Sequence, residues 1–168
     1  QVILVSTSKK LIDAVEKEVQ IQLDVLPRKA IAEKAIENSK LIYVENDQIA
    51  LDLIDEYGPE HFIICAKNED FYVNNIGNAG SVFIGNYTPE SAGDYASGTN
   101  HTLPTNGYAK NYSGVNLDSF TKAMTFQKIS EKGIQKIGKA IEIMAEAEGL
   151  QAHKNAVTLR LKAIEDGK

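Results

Sequence analysis

The chain has 168 residues, of which 43% are apolar and 24% are charged, and its net charge is −5 at pH 7. This composition is ordinary for a folded globular protein and excludes a disordered chain, while the acidic balance argues against a nucleic-acid partner, which usually meets a basic face. Because no apolar run is long enough to cross a bilayer and no charged-then-apolar leader opens the sequence, we also expect no membrane partner.

The first hundred residues alternate between strand-like and helix-like segments. Buried strands are predicted over 2–6, 41–45, 61–66 and 81–85. Four helices are predicted between them: one after Ser8 up to Pro27, one over about 28–38, one that ends at Gly58-Pro59, and a short one over 68–76. Ser8 is predicted to cap the first helix, and Asn46 or Asp47 the third. This alternation predicts an α/β fold, a partial Rossmann-like, mostly parallel sheet with flanking helices, whose ligands bind at the carboxyl ends of the strands.

The pattern changes after residue 113. A turn and a short helix are predicted in SGVNLDSF, and a brief extended piece in MTFQKIS. One amphipathic helix then ends at Gly149, and a second begins near Leu150. Neither helix can bury its apolar stripe alone, so both must pack on the sheet or on another subunit. We therefore expect an α/β domain over 1–113 and a small helical C-terminal segment over 114–168.

A glycine-rich stretch, GDYASGTNHTLPTNGYA (93–109), is predicted to be a long loop. It carries Asp94 and His101, and it is either an inconsequential surface loop or a loop shaped around a ligand. In the second case Gly93 and Gly98 supply φ values that other residues resist. The single cysteine, Cys65, excludes an internal disulfide and fits a reducing cytoplasm; a buried small side chain is favoured over a reactive thiol.

The adjacent pair Glu60 and His61 is the sharpest candidate for acid–base chemistry. A carboxylate beside an imidazole offers two proton-transfer groups at a turn that enters a strand. The alternative is a solvated turn glutamate next to a half-buried histidine. Asp94 and His153 offer oxygen and nitrogen ligands that suit zinc, but two widely separated ligands are too few to define a zinc site from spacing.

Four motifs together carry a resemblance to a known family. YGPEHF, AGSVFIG, TPESAGDYASGTNHTLPTNGYA and AEGLQAHKNAV, in this order, closely resemble histidinol dehydrogenase over essentially the whole chain. The resemblance implies an enzyme with two incomplete Rossmann-like domains. It also implies oxidation of L-histidinol to L-histidine with two NAD and a bound zinc, and an intertwined homodimer whose C-terminal segment reaches the partner's active site.

The resemblance also implies roles for individual residues. His61 accepts the proton as the alcohol is oxidised, and Glu60 activates the water that attacks the aldehyde. Asp94 and His153 are zinc ligands, and Glu148 binds substrate, as do His61, Asp94 and His153. Zinc then positions the imidazole and amino groups of the substrate, and His101 has at most a supporting role.

One departure limits the expected activity. The family's other two zinc ligands, a glutamine and a histidine, and its NAD-binding surface are expected upstream of Gln1. The chain therefore resembles a C-terminal piece that is inactive alone and that exposes apolar surface where missing strands pack. The alternative is a non-catalytic dimerisation or scaffold module of the same fold. A zinc hydrolase is a third possibility, but it needs a full ligand set within this chain.

Overall fold

The structure, a computed structural model, describes residues 1–167 and divides into two compact units. The first comprises Gln1–Thr121, and the second begins at Lys122. The domain boundary expected after residue 113 remains a prediction. Of the predicted C-terminal segment, Lys168 lies outside the described residues.

The first unit contains strands that alternate with helices. In chain order these elements are β1 (Ile3–Ser6), α1 (Lys9–Val25), α2 (Lys29–Glu37), β2 (Lys40–Tyr43), α3 (Asp47–Tyr57), β3 (His61–Ile64), α4 (Glu69–Asn75), β4 (Ser81–Ile84) and α5 (Glu90–Tyr95). Short 3₁₀ turns follow at Tyr108–Lys110 and Leu117–Phe120. The second turn confirms the short helix predicted in SGVNLDSF.

The strands form two parallel pairs, β1 with β2 and β3 with β4. Ile3 is in register with Lys40 in the first pair, and His61 is in register with Ser81 in the second. Parallel strands need a crossover connection, which the intervening helices provide. The predicted parallel α/β architecture with flanking helices is therefore confirmed, although within residues 1–167 the strands form two pairs and no continuous sheet.

Local capping fixes where the helices begin and end. The Ser8 hydroxyl accepts a hydrogen bond from the Leu11 backbone N–H, and the Asn46 side chain accepts one from Ile49. Each bond satisfies an N–H that the first helical turn leaves unpaired. Gly58 ends α3 with φ of 60°, a left-handed conformation that favours glycine.

The core of the first unit joins both strand pairs. Its buried members come from the residue after β2, from α3, from β3 and from α4: Val44, Ala50, Leu51, Phe62, Ile64 and Tyr72. Alternation along β3 directs Phe62 and Ile64 into this core. Cys65 follows the last residue of the strand and is exposed, so the favoured prediction of a buried thiol is wrong.

The second unit begins with a segment, over residues 122–130, that has neither helix nor strand. Helices α6 (Glu131–Ala147) and α7 (Gln151–Glu165) then pack on each other as a hairpin. The turn between them contains Gly149 with φ of 72°, which confirms the predicted helix end. No helix within residues 1–167 combines the length and the apolar character that crossing a bilayer requires.

Candidate functional site

His61 is the first residue of β3 and lies on the opposite face of the strand from Phe62. Phe62 faces the core, whereas the His61 ring lies beside the ring of Phe83 on β4, with centroids 5.9 Å apart and planes inclined by 36°. Only 27% of the His61 side chain is exposed. The imidazole thus lies beside the Phe83 ring and remains partly exposed to solvent.

Helix α5 covers this face of the strand pair. Pro89 precedes it in an extended conformation, and Gly93 lies so close to β4 that an added Cβ would be 2.7 Å from Cε1 of Phe83. Real Cβ atoms do not approach a ring carbon so closely, so only glycine permits this helix position. The close approach brings the first turn of α5 to the His61 ring.

Three acidic side chains surround His61. Oε1 of Glu60 lies 4.0 Å from Nδ1, and Oε1 of Glu90 lies 3.6 Å from Nε2. Both distances are within ion-pair range and longer than a hydrogen bond. Asp94 is four residues after Glu90 on α5, so both carboxylates project from the same face of the helix.

This cluster can provide ligands for a metal ion. His61, Glu90 and Asp94 each offer one ligand atom, and in the described part of the chain these three atoms lie within 4.8 Å of one another. Imidazole nitrogen and carboxylate oxygen are zinc ligands at about 2.0–2.2 Å, so small side-chain movements would bring all three atoms to one ion. The donor chemistry therefore fits zinc.

The other predicted site residues belong to the second unit. Glu148 is the C-terminal cap residue of α6, and His153 is the third residue of α7; both are exposed. His101 is an exposed residue of the loop that follows α5. Of the predicted set, the structure brings together Glu60, His61 and Asp94.

Two expectations about this region are wrong. Asp94 lies in a helix and not in a flexible loop, because Pro89 and Glu90 start a helical turn that the glycines do not interrupt. Gly93 has no positive φ; glycine is needed there because a Cβ atom would overlap the Phe83 ring. Gly98 does have a positive φ, of 92°. The cluster lies at the amino end of β3, because His61 is the first residue of that strand, and the expectation that ligands bind at the carboxyl ends of the strands remains a prediction.

Sequence reasoning missed Glu90. The available signal was the TPES motif, in which a proline followed by an acidic residue is typical of a helix start. A helix beginning there places Glu90 and Asp94 on the same face, one turn apart. Treating Gly93–Ala109 as one loop hid that periodicity.

Together these features define an α/β protein with parallel strand pairs, in which one imidazole and three carboxylates gather on one strand face. The family model described as histidinol dehydrogenase matches residues 1–161. The chain belongs to the histidinol dehydrogenase family.

Individual relatives agree with this assignment. Histidinol dehydrogenase of Bacteroides fragilis (strain YCH46) is 58% identical over 164 residues, which are 98% of this chain and 38% of the relative. The chloroplastic histidinol dehydrogenase of Arabidopsis thaliana is 51% identical over 166 residues, or 98% of this chain and 36% of the relative. The crystal structure of the Elizabethkingia anophelis histidinol dehydrogenase is 53% identical, with a TM-score of 0.90, over 97% of this chain and 38% of that one. The chain thus spans less than two-fifths of the length of these relatives.

Proposed function

We propose that this chain forms the C-terminal part of a zinc-dependent enzyme that oxidises L-histidinol to L-histidine with two NAD. The observation that carries the proposal is the convergence of Glu60, His61 and Asp94 on one strand face, in a chain that matches the family over residues 1–161. Adjacent proton-transfer groups beside a metal ligand are what oxidation of an alcohol to a carboxylate requires.

The residues of the cluster divide the proton transfers between them. His61 accepts the hydroxyl proton of the alcohol while a hydride leaves its carbon for the first NAD. Glu60 then removes a proton from the water that adds to the aldehyde. The resulting hydrate loses a second hydride to the second NAD while one of its hydroxyl protons passes to a base of the same pair. Because both residues act on the same carbon, their adjacency at the start of β3 suits the two steps.

Asp94 and His153 are the proposed zinc ligands from this chain, and Glu148 is proposed to bind substrate with them. Zinc, when bound, supplies a positive charge that positions the imidazole and amino groups of the substrate. Asp94 is partly buried at the cluster, whereas Glu148 and His153 are exposed on the helical hairpin. We propose that both become part of a site through contact with the rest of the enzyme.

We further propose a homodimer in which the segment around residues 120–129 contacts the second copy. Its large apolar side chains are unpacked: Phe120 is 81% exposed, Met124 72% and Phe126 89%. Exposed apolar runs of this kind mark interaction surfaces. The proposed compartment is the cytoplasm, supported by the single cysteine of the chain.

The test uses the complete reading frame that contains this segment, supplied with L-histidinol, zinc and NAD, and follows NADH formation. We expect two NADH per histidinol and a loss of about 10²- to 10⁴-fold in His61→Asn, the usual contribution of a general base. The control is an unchanged zinc content and circular dichroism spectrum in the variant. No NADH from folded, zinc-loaded protein would instead support the scaffold module.

The 168 residues alone are expected to be inactive, because the NAD-binding surface and the remaining zinc ligands are proposed to lie in other parts of the enzyme. Zinc-dependent histidinol oxidation by the isolated segment would contradict this expectation. The same NADH assay measures it, with the complete protein as the positive control.

A further inference from the structure

We propose that Glu90 is a positioning residue, whose carboxylate holds the imidazole of His61 in the orientation used for proton transfer. This inference rests on the proposed function of His61. Of the two carboxylates beside the ring, Glu90 is the nearer, at 3.6 Å from Nε2, compared with 4.0 Å between Glu60 and Nδ1.

Each ring nitrogen of His61 faces a carboxylate, Nε2 that of Glu90 and Nδ1 that of Glu60, and the carboxylate of Glu90 is the nearer of the two. An ionised carboxylate only accepts hydrogen bonds, so the nitrogen that pairs with Glu90 carries a hydrogen. A neutral imidazole carries one hydrogen, so with that hydrogen on Nε2 and donated to Glu90, the nitrogen Nδ1 holds the lone pair that accepts a proton. Nδ1 is also the nitrogen nearer to Glu60, and both residues must act on the same substrate carbon. Glu90 therefore leaves the basic nitrogen of His61 on the side where water is activated.

The distance is compatible with this role. A separation of 3.6 Å exceeds a charge-assisted hydrogen bond by roughly 0.7 Å. Such bonds are often long without substrate and shorten when the complex forms. The Glu90 side chain is 39% exposed, so it is free to move over this distance, whereas the ring stays beside Phe83.

The local structure leaves the Glu90 carboxylate available for His61. Pro89 occupies the cap position of α5 without a side-chain capping bond. Within residues 1–167, His61 is the ion-pair partner of Glu90. Gly93, through its close approach to Phe83, fixes the helix that carries Glu90 to the ring. The packing of α5 thus places Glu90 beside the ring, and the Glu90 carboxylate makes no capping bond that would keep it from His61.

The competing role is that of a zinc ligand, since Glu90 also lies in the group of three donor atoms with Asp94. The two roles differ in one measurable property. Removing a ligand lowers zinc affinity, whereas removing a positioning residue leaves zinc bound and slows the chemical step.

The experiment compares Glu90→Ala, Glu90→Gln and the unmutated complete protein. We expect Glu90→Ala to lower kcat by about 10- to 100-fold, the usual effect of losing a residue that orients an imidazole. The KM for histidinol should change by less than about threefold and bound zinc should be unchanged. Glu90→Gln should recover part of the loss, because its amide oxygen accepts the same hydrogen bond.

Glu69→Ala is the matched control. Glu69 is also the first residue of a short helix, α4, and has no ion pair with a histidine among the described residues. The Glu69→Ala variant also loses a negative charge at the start of a helix, and its kcat should equal that of the unmutated protein. A fall in kcat equal to that of Glu90→Ala would assign the effect to helix stability and overturn the proposal.

Two further outcomes would overturn it: loss of zinc from Glu90→Ala, or an unchanged kcat. Crystal structures of the unmutated protein and Glu90→Ala supply a readout that does not need turnover. We expect the His61 ring to rotate or to become disordered in the variant, and an unmoved ring would refute the positioning role. Absence of NADH formation by the unmutated protein would refute the proposed function alone.

Discussion

Replacing Gly93 with alanine tests whether the close approach of α5 to β4 builds the site. The added Cβ would lie 2.7 Å from Cε1 of Phe83 on one side and 2.7 Å from Oγ1 of Thr99 on the other. Ordinary carbon contacts are about 3.5–4.0 Å, so the overlap is close to 1 Å. Thr99 is exposed and can move away. Phe83 is only 4% exposed and lies against His61, so its ring cannot.

Two opposing effects decide the outcome. Alanine is the better helix former and would stabilise α5 by about 1 kcal/mol. Overpacking against a buried ring costs about 1–3 kcal/mol. Because the contact is with a ring that is almost fully buried, we expect the steric cost to prevail, with a net loss of up to about 2 kcal/mol. Relief of the overlap moves Glu90 and Asp94 away from His61, so zinc affinity and turnover should also fall.

The assay is thermal unfolding of the complete protein, together with its zinc content and NADH formation. A loss of 1 kcal/mol lowers the melting temperature of a domain of 150–250 residues by about 2–4 °C. Ser91→Ala on the same helix is the control, because it raises helix propensity at an exposed position without adding atoms. A Gly93→Ala protein that melts higher, as the control should, with zinc and turnover intact would refute the steric argument.

Two further predictions concern the stability of each unit. Burial, together with the hydrogen bond to Asp47, raises the pKa of Tyr72 from 10.0 to about 12. The protonated Tyr72 hydroxyl therefore stabilises the fold fully below pH 10, and this stabilisation is lost as pH rises towards 12. Tyr72→Phe should therefore lose about 2 kcal/mol less stability at alkaline pH than the unmutated protein. Urea titrations over a range of pH test this, and an equal dependence of the unfolding free energy on pH in the two proteins would contradict it. In the second unit, the Thr158 hydroxyl donates to the buried carboxylate of Glu142, so Thr158→Val should cost about 1–3 kcal/mol. Thr158→Ser keeps the donor and is the control, and equal melting temperatures for the two variants would exclude a role for the hydroxyl.

Much of the local structure was predictable because its causes lie close together in the sequence. Ser8 and Asn46 cap helices through bonds to backbone groups three residues away. Gly58 ends α3 because its backbone takes a left-handed conformation. Apolar residues at periods of 2 and 3.6 then separated strands from helices. The one missed helix, α5, is six residues long and rich in small residues, so it carries too little periodicity to be recognised.

The candidate site was predictable only in part, and motif resemblance, not spacing, supplied most of it. Glu60 and His61 are neighbours in the chain, so their proximity follows from the sequence. Asp94 is more than thirty residues away, and its approach to His61 depends on α5 packing over one strand face. The roles of Glu148 and His153 remain predictions.

The sequence by itself determined the order of strands and helices, their capping and the adjacency of Glu60 and His61 at the start of β3, because these depend on residues within a turn or two of each other. The tertiary structure alone decided that Gly93 is required by the ring of Phe83 and that Glu90 meets His61. Both contacts join elements whose separation in the chain carries no local signal. The position of α5 is set by close packing, which depends on the shapes of both surfaces and is not encoded in either stretch alone.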